Sequence, residues 1–376
     1  MATIISIVSY PFLPARTGGE KGVAFFYKYF SRWHRVICVT TQRNEPAAAE
    51  GYTVSNILSN SPLRYINPFY IFRLRRLIRQ HQATHVILEH PYYGWLGVAL
   101  KWICGVKLVV HSHNLEGDRW KSLGKWWWRI LWSYEKWTHR QADYNFFIQD
   151  EDKAYAIGRW SLDPGRCLTM RYGFERETIP AAAEIAASRE RVRKQHGIAP
   201  EAIILLFNGT FNYAPNLHAL EHILTDINPL LQAKKDWRYQ IIICGKDIPA
   251  ALTGGTYPNV HFAGFVPDID DYFRGADVFI NPVVEGGGIK TKLVEALGNN
   301  LTAVSVRNGA VGIDPAWCNG KLLVCENGDW EAFAGLVVKA GMLKADTPPV
   351  YFDHFYWGGS TRKAAEFIQD QGSGDL

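Results

Sequence analysis

The sequence predicts an α/β protein made of two doubly wound, Rossmann-like domains facing each other across a cleft. Three observations predict it. The 376 residues exceed one ordinary hydrophobic core and suit two domains of common size. Short β-branched runs alternate with longer amphipathic segments in both halves, the pattern of parallel sheets with helical crossovers. The runs are continuously apolar, as strands covered on both faces require.

In the first half the strand candidates are TIISIVSY (3–10), RVICVTT (35–41), THVILEH (84–90), VKLVVHSH (106–113), ADYNFFIQ (142–149) and RCLTMRYG (166–173). The second half offers AIILLFNGT (202–210), RYQIIICG (238–245), NVHFAGFV (259–266), DVFINPVV (277–284), LTAVSV (301–306) and KLLVCE (321–326). Helical patterns such as NLHALEHILTDINPLLQAK fall between most of them. The join lies near YGFERETIPAAAEIAASRERVRKQHGI, dividing 1–175 from 176–352. A tail, 353–376, carries the helix candidate STRKAAEFIQDQ, is expected to cross back toward the first domain, and ends in a loose GSGDL.

Composition narrows the function classes. Hydrophobic content of 47% with 20% charged residues reads as a soluble globular chain. The net charge of +5 hides an asymmetry: residues 1–175 carry +10 and residues 176–376 carry −5. Such a split suggests that the first half meets something anionic, although homologous halves also drift in charge. Six scattered cysteines without a CxxC pair read as reduced, mostly buried thiols of a cytoplasmic protein and form no metal cluster. The start lacks a basic n-region and a cleavage site, so no signal peptide is expected. The most apolar window, GWLGVALKWICGVKLVV, is broken by Lys101 and Lys107 and is too short to span a bilayer.

NPVVEGGGIKTKLVEALGNN (281–300) is the chief chemical feature. It reads as a strand, a glycine turn from Glu285 to Gly288, and a helix with Ile289, Leu293 and Leu297 on one face. Thr291, Lys292 and Glu295 then lie on the opposite face. Glycine backbone can aim successive N–H groups at an anion, and a helix N-terminus adds partial positive charge. A plain strand-to-helix turn with a solvated lysine face is the competing reading, and the residues alone leave both open. The GK[ST] ending of a Walker loop is missing, and no GxGxxG follows the first strand.

FNGTFNYAPNLHALEHI, IIICGK, VHFAGFVPDIDDYFRGADVFINP, EGGGIKTKLVEAL and NGAVGI occur in that order. Together they resemble the nucleotide-binding half of a retaining glycosyltransferase of family 4 with the GT-B fold, of a GGGIKTK variety. HSHNLEGDRW followed by YEKWTHRQADYNFFIQDEDK resembles the matching part of the acceptor half. The resemblance implies an acceptor-side domain over 1–175 and a nucleotide-sugar domain over 176–352. It implies a nucleotide-diphosphate sugar as donor substrate, with no metal and no other cofactor.

Residue by residue, the resemblance makes Glu295 the ribose partner and gives the diphosphate to Gly287, Gly288, Lys290 and Lys292. Glu285 sits ten residues before Glu295, not eight, and is a candidate for the sugar-side carboxylate or a cap of the turn. The loop containing Gly209 lacks the basic pair found in many relatives; Lys290 and Lys292 are expected to supply the charge, helped by Arg16 or Lys21. Gly18 and Gly19 would form the loop that meets the donor phosphates and the acceptor. His113 matches the histidine that touches the transferred sugar, with Asn114 and Glu116 beside it. Phe265 and Val266, in GFVPD, match the segment packing against the base, while Asp268 is read as a helix cap and not as a metal ligand.

Two first-half segments are basic and aromatic. RYINPFYIFRLRRLIRQH (64–81) has five arginines and no acid, and 119–140 has six tryptophans and six Lys/Arg against one glutamate. Such segments suit docking on anionic lipid headgroups, as a lipid-linked sugar acceptor would require. Trp126, Trp127 and Trp128 cannot share one helix face, so some must pack inside. No recognition module for nucleic acid accompanies the charge. The reading is a glycosyltransferase of cell-surface polysaccharide, lipopolysaccharide or glycolipid assembly, cytoplasmic or peripheral on the inner face of the membrane. The alternatives are a GT-B nucleotide-sugar epimerase and a two-lobed binder without turnover.

Overall fold

The computed structural model describes residues 1–370 and resolves the chain into two compact units. One comprises Met1–Glu175 with the chain from His354 onward; the other is Arg176–Asp353. The closing GSGDL lies outside the described residues.

The first unit holds a seven-stranded parallel sheet: β1 (Thr3–Val8), β2 (Arg35–Thr41), β3 (Thr53–Leu58), β4 (His85–Glu89), β5 (Lys107–Ser112), β6 (Tyr144–Phe147) and β7 (Cys167–Thr169). Its order is β3-β2-β1-β4-β5-β6-β7, so the winding reverses between β1 and β4. Six of these strands fall within the runs read from the sequence. The additional one, β3, is an edge strand whose TVSNIL is only partly buried, so it lacks the apolar continuity of the others.

Ile5, Ile7, Val86, Leu88, Leu108 and Val110 form the core of one sheet face, where Tyr70, Leu74 and Ile78 pack from the helix Phe69–His81. The helix Gly18–Phe30 turns Val23, Phe26, Tyr27 and Phe30 inward at helical spacing. Thr17 caps it: Glu20 N donates to Thr17 Oγ1, and the Glu20 carboxylate accepts from the Thr17 amide. Gly18 and Gly19 are thus its first two residues, inside the helix and not ahead of it. The tail helix Trp357–Asp370 packs on that helix.

The second unit holds β8 (Ile203–Thr210), β9 (Tyr239–Lys246), β10 (Val260–Gly264), β11 (Val278–Asn281), β12 (Thr302–Val306) and β13 (Leu322–Cys325). All pair in parallel in the order β10-β9-β8-β11-β12-β13, reversing between β8 and β11. Phe207, Ile241, Ile243, Ile280 and Val304 lie in a core closed by the helices Ala214–His222 and Trp330–Met342. All six cysteines are unpaired, four of them buried. No helix among the described residues is long and apolar enough to cross a membrane.

At the carboxyl end of β9, Gly245 has φ +147°, and a Cβ there would fall 1.7 Å from the Gly209 carbonyl oxygen. Backbone cannot retreat as a flexible side chain can. Gly245→Ala is therefore expected to destabilise this unit by about 2 kcal/mol or more, lowering Tm by roughly 4–8 °C. Thermal unfolding checks it, and an unchanged Tm would contradict the close approach of β8 and β9.

Candidate functional site

Loops at the carboxyl ends of strands on either side of a winding reversal are left uncovered, which is where doubly wound sheets bind ligands. In the second unit those loops follow β8 and β11. They contain Gly209, and the turn from Glu285 to Lys290.

Two glycines of this turn, Gly286 (φ +80°) and Gly288 (φ +74°), adopt conformations that side chains resist. The helix begins at Thr291 with Lys290 extended in the cap position, so Ile289 precedes the helix instead of opening its apolar face. Lys290 Nζ donates to the carbonyls of Gly286 (2.8 Å) and Gly288 (3.0 Å) and approaches that of Gly287 (3.5 Å). In a trans peptide the N–H points opposite to the C=O. Carbonyls gathered on the ammonium therefore turn the amides of Gly287, Gly288 and Ile289 away from it. None of those amides has an acceptor among the described residues. Around Gly287 a Cβ would meet nothing within 4 Å, so the turn is open there.

Lys292 sits in the first helical turn, not one turn further in, and is drawn inward, unlike a solvated lysine. Its ammonium donates to Asn208 O (2.9 Å) and Asn216 Oδ1 (2.7 Å) and lies 4.4 Å from the centre of the Phe207 ring. No carboxylate of the described residues is within ion-pair distance. Burial, with a smaller contribution from Lys290, lowers its pKa to about 7. Burial lowers that of Lys290 to about 8. Gly209 is needed here because a Cβ would fall 2.9 Å from the Asn216 side chain.

Glu295 is half-buried one turn further along the helix. Glu285 is exposed, with Oε2 3.2 Å from His218 Nδ1 on the helix Ala214–His222. Past β10, Phe265 is 63% exposed with Lys246 Nζ 4.4 Å from its ring centre, and half-buried Val266 follows. Both Lys246 and Phe265 line a cavity of about 410 Å³. Asp268 caps the helix Ile269–Gly275, accepting from Asp270 N at 2.9 Å.

The first unit gathers polar side chains at its own reversal, beside β1 and β4. Glu89, fully buried at the end of β4, meets His113 Nε2 at 2.5 Å and His111 Nδ1 at 3.1 Å, and accepts from the Tyr27 hydroxyl. Burial opposes its ionisation, but His111 and His113 outweigh burial and hold the carboxyl well below the usual range. His111 Nε2 is buried without a partner, a cost of about 1–3 kcal/mol borne to keep its other nitrogen on Glu89.

His90, at φ +68°, occupies a region that non-glycine residues avoid at a cost of roughly 1–3 kcal/mol. There its ring stacks on His113 (4.6 Å between centres), and its Nδ1 lies 3.1 Å from Glu116 Oε1. Burial opposes ionisation of Glu116, but His90, Tyr92 and Arg119 bring its pKa to about 2. Asn114 supplies a carbonyl to Ser112 Oγ (2.8 Å). Gly18 and Gly19 open the helix that follows β1, and Gly19 has open space around it.

Glu89, His111 and His113 place three ligand atoms within 4.8 Å of one another, the residue types of a cation site. The 2.5 Å between Glu89 and His113 is nevertheless a hydrogen-bond separation. Two ligands of one zinc ion, each about 2.0–2.2 Å from it, stay about 3 Å apart.

The sequence reading did not single out Glu89, His90, His111, Tyr27, Asn216 or His218. A signal existed for two of them: an acid ends the apolar run THVILEH, and HSH puts two histidines on one strand face.

Residues 16–175 match the family model described as Glycosyltransferase Family 4, and residues 202–340 match that described as Glycosyl transferases group 1. No curated protein sequence matches the chain. Among solved structures, the chain is similar to HepE from Anabaena in complex with UDP and glucose, with a TM-score of 0.71 at 15% identity over 98% of this chain and 100% of that one. A glycosyltransferase from Rickettsia africae gives a TM-score of 0.70 at 12% identity over 98% and 99%. WaaG, a glycosyltransferase involved in lipopolysaccharide biosynthesis, gives 0.64 at 16% over 98% and 100%. Likeness at such identities shows the GT-B fold, and each unit carries its own glycosyltransferase family model, that of family 4 over residues 16–175 and that of group 1 over residues 202–340.

Proposed function

We propose that the protein is a retaining glycosyltransferase that moves a sugar from a nucleotide diphosphate to an acceptor hydroxyl in polysaccharide, lipopolysaccharide or glycolipid assembly. One observation carries this reading: three outward amides of the glycine turn precede Lys292, a half-buried lysine with no carboxylate of the described residues within ion-pair distance. An ammonium held among neutral oxygens costs several kcal/mol, and an anionic ligand recovers that cost. HepE was solved with UDP, which contains such a diphosphate.

In this reading the amides of Gly287 and Gly288 and the Lys292 ammonium take the diphosphate, while Lys290 holds the turn in shape. Glu295 takes the ribose, Phe265 and Val266 the base, and Glu285 the transferred sugar. Gly18 and Gly19 leave room for phosphates and acceptor, and His113 meets the sugar. The bond from the anomeric carbon to the diphosphate breaks with its electron pair going to the phosphate oxygen. That oxygen takes the acceptor proton, and the acceptor oxygen bonds to the same face of the sugar. Fixed positive groups stabilise the departing charge, so neither a dedicated base nor a metal is required.

The acceptor is proposed to lie at an anionic lipid surface. Leu63, Ile66, Phe69 and Phe72 are 69, 72, 69 and 67% exposed. On the helix Phe69–His81, Phe69, Phe72, Arg73 and Arg76 share the face opposite Tyr70, Leu74 and Ile78. Nearby in sequence to the second basic segment's start, Trp126 is 83% exposed, whereas Trp127 is half-buried against Trp120, 4.9 Å between ring centres. Exposed apolar rings among arginines without an acid match a negatively charged headgroup layer.

Lys292→Met and Glu295→Ala should each weaken UDP-sugar binding on the order of tenfold or more, measured by calorimetry. The free enzyme's Lys292 is largely neutral above pH 7, and a bound diphosphate raises its pKa. Affinity should therefore increase as pH falls through about 7, with proton uptake on binding above it. Lys292→Met should abolish that dependence; unchanged affinity in both variants would remove the site.

Transfer should persist in excess EDTA. Loss of transfer, restored by Mn²⁺, would contradict the metal-free reading.

Sedimentation with vesicles of 30% anionic lipid should capture the protein at low salt and release it at high salt, each exposed arginine contributing about 1 kcal/mol. Phe69→Ser with Phe72→Ser should weaken capture severalfold. Equal binding to neutral vesicles would refute the headgroup reading.

A further inference from the structure

We propose that Glu89 is the positioning residue for His113: it fixes the ring in the tautomer protonated on Nε2 and leaves Nδ1 as the lone-pair atom that accepts a hydrogen bond from a sugar hydroxyl. This rests on the reading of the first unit's polar cluster as the sugar end of a glycosyl-transfer site.

The argument is one of donors and acceptors. An ionised carboxylate can only accept hydrogen bonds. Glu89 meets three groups, the Tyr27 hydroxyl, His111 Nδ1 at 3.1 Å and His113 Nε2 at 2.5 Å, so each must donate. For neutral imidazole rings, both histidine tautomers follow from that one requirement. His111 is left with a lone pair on Nε2, which faces buried, partnerless space. His113 is left with a lone pair on Nδ1, which has no hydrogen-bond partner among the described residues, and its side chain is 12% exposed, unlike Glu89 and His111. A ligand therefore reaches this cluster through His113.

The ring is also held in place. It lies between His90 and His111, each with its centre 4.6 Å away. His90 Nδ1 in turn lies 3.1 Å from Glu116 Oε1, without the geometry of a hydrogen bond. Turning the His113 ring over would put Cε1–H against Glu89 in place of Nε2 and Cδ2–H where the Nδ1 lone pair now stands. Tyr27 reaches Glu89 from the helix Gly18–Phe30 and is backed by Ser6 of β1, whose hydroxyl donates to it at 2.5 Å. The carboxylate is thus fixed from β1, β5 and the first helix together.

Side-chain ¹⁵N spectroscopy of the full-length protein tests it. In wild type, His113 Nε2 should resonate as protonated and Nδ1 as unprotonated; the opposite assignment would overturn the proposal without any variant. In E89Q the carboxamide offers one acceptor and one donor group, so it cannot satisfy both histidines as the carboxylate does. His113 should then reverse or average its tautomer, with kcat falling about 10²-fold and KM for the donor changing less than about twofold. His113→Ala should lose as much, and the double variant no more than either single one, as expected for residues acting as a unit.

If His113→Ala keeps full activity, the sugar-site reading fails and the proposal with it. If His113→Ala is inactive while E89Q keeps both tautomer and kcat, the positioning role alone fails. Tyr27→Phe, which leaves both histidine donors in place, should retain the wild-type tautomer. Stoichiometric Zn²⁺ uptake that removes the Nε2 proton would also overturn the proposal.

Discussion

A lysine ammonium with no carboxylate of the described residues beside it sits at the carboxyl edge of the second sheet. Lys292 reaches Asn208 O and Asn216 Oδ1. The Asn216 side chain occupies the space that a Cβ on Gly209 would take, and the Gly209 carbonyl occupies the space that a Cβ on Gly245 would take. The charge thus ties β8, through Asn208, to the helix Ala214–His222, through Asn216, and the close approach of β8 and β9 backbone lies beside it. Keeping a desolvated charge is unfavourable in isolation, so its retention is most simply explained by a ligand of opposite sign.

The first sheet solves the inverse problem at the equivalent place. There the buried ion is an anion, Glu89, surrounded by donors from Tyr27, His111 and His113. Both ions sit where the winding reverses, because there the loops diverge and leave strand ends uncovered. The strands behind them are apolar and dry, which strengthens each hydrogen bond to the ion and penalises any that is missing. That penalty explains why the surroundings of both ions are so closely specified. Lys290 and Lys292 both face neutral oxygens, but Lys290 is held by carbonyls of its own turn, whereas Lys292 reaches β8 at Asn208 and the helix Ala214–His222 at Asn216.

Most of the fold was legible because central parallel strands must be apolar on both faces. Twelve runs chosen on that criterion contain strands, and the criterion fails where its premise fails, at the half-exposed edge strand β3. The glycine turn was legible as a motif, yet its helix begins two residues later than apolar spacing suggested, since Ile289 packs near Gly312 from outside the helix. The partners of the site were not legible. Asn216 lies 76 positions from Lys292, and Glu89 lies 24 from His113. Such pairs are brought together by strand order, which no local pattern encodes. His218 beside Glu285 belongs to the same class, with 67 positions between them.

The exposed strip on the first unit shows the complementary limit, because composition identified a basic, aromatic segment but could not divide it. Helical periodicity makes the division: Tyr70, Leu74 and Ile78 repeat every four residues and are buried, so Phe69, Phe72, Arg73 and Arg76 are left to face outward. Leu63 and Ile66 extend the strip ahead of the helix at the same three-residue spacing. Four large apolar side chains, each about two-thirds exposed, gain nothing from folding and favour association. Core packing does not account for them, since the residues that fill the core from this helix are already Tyr70, Leu74 and Ile78. Their alternation with arginines disfavours self-association, because like charges would meet across a symmetric contact. The same alternation favours a surface that is apolar within and negatively charged without.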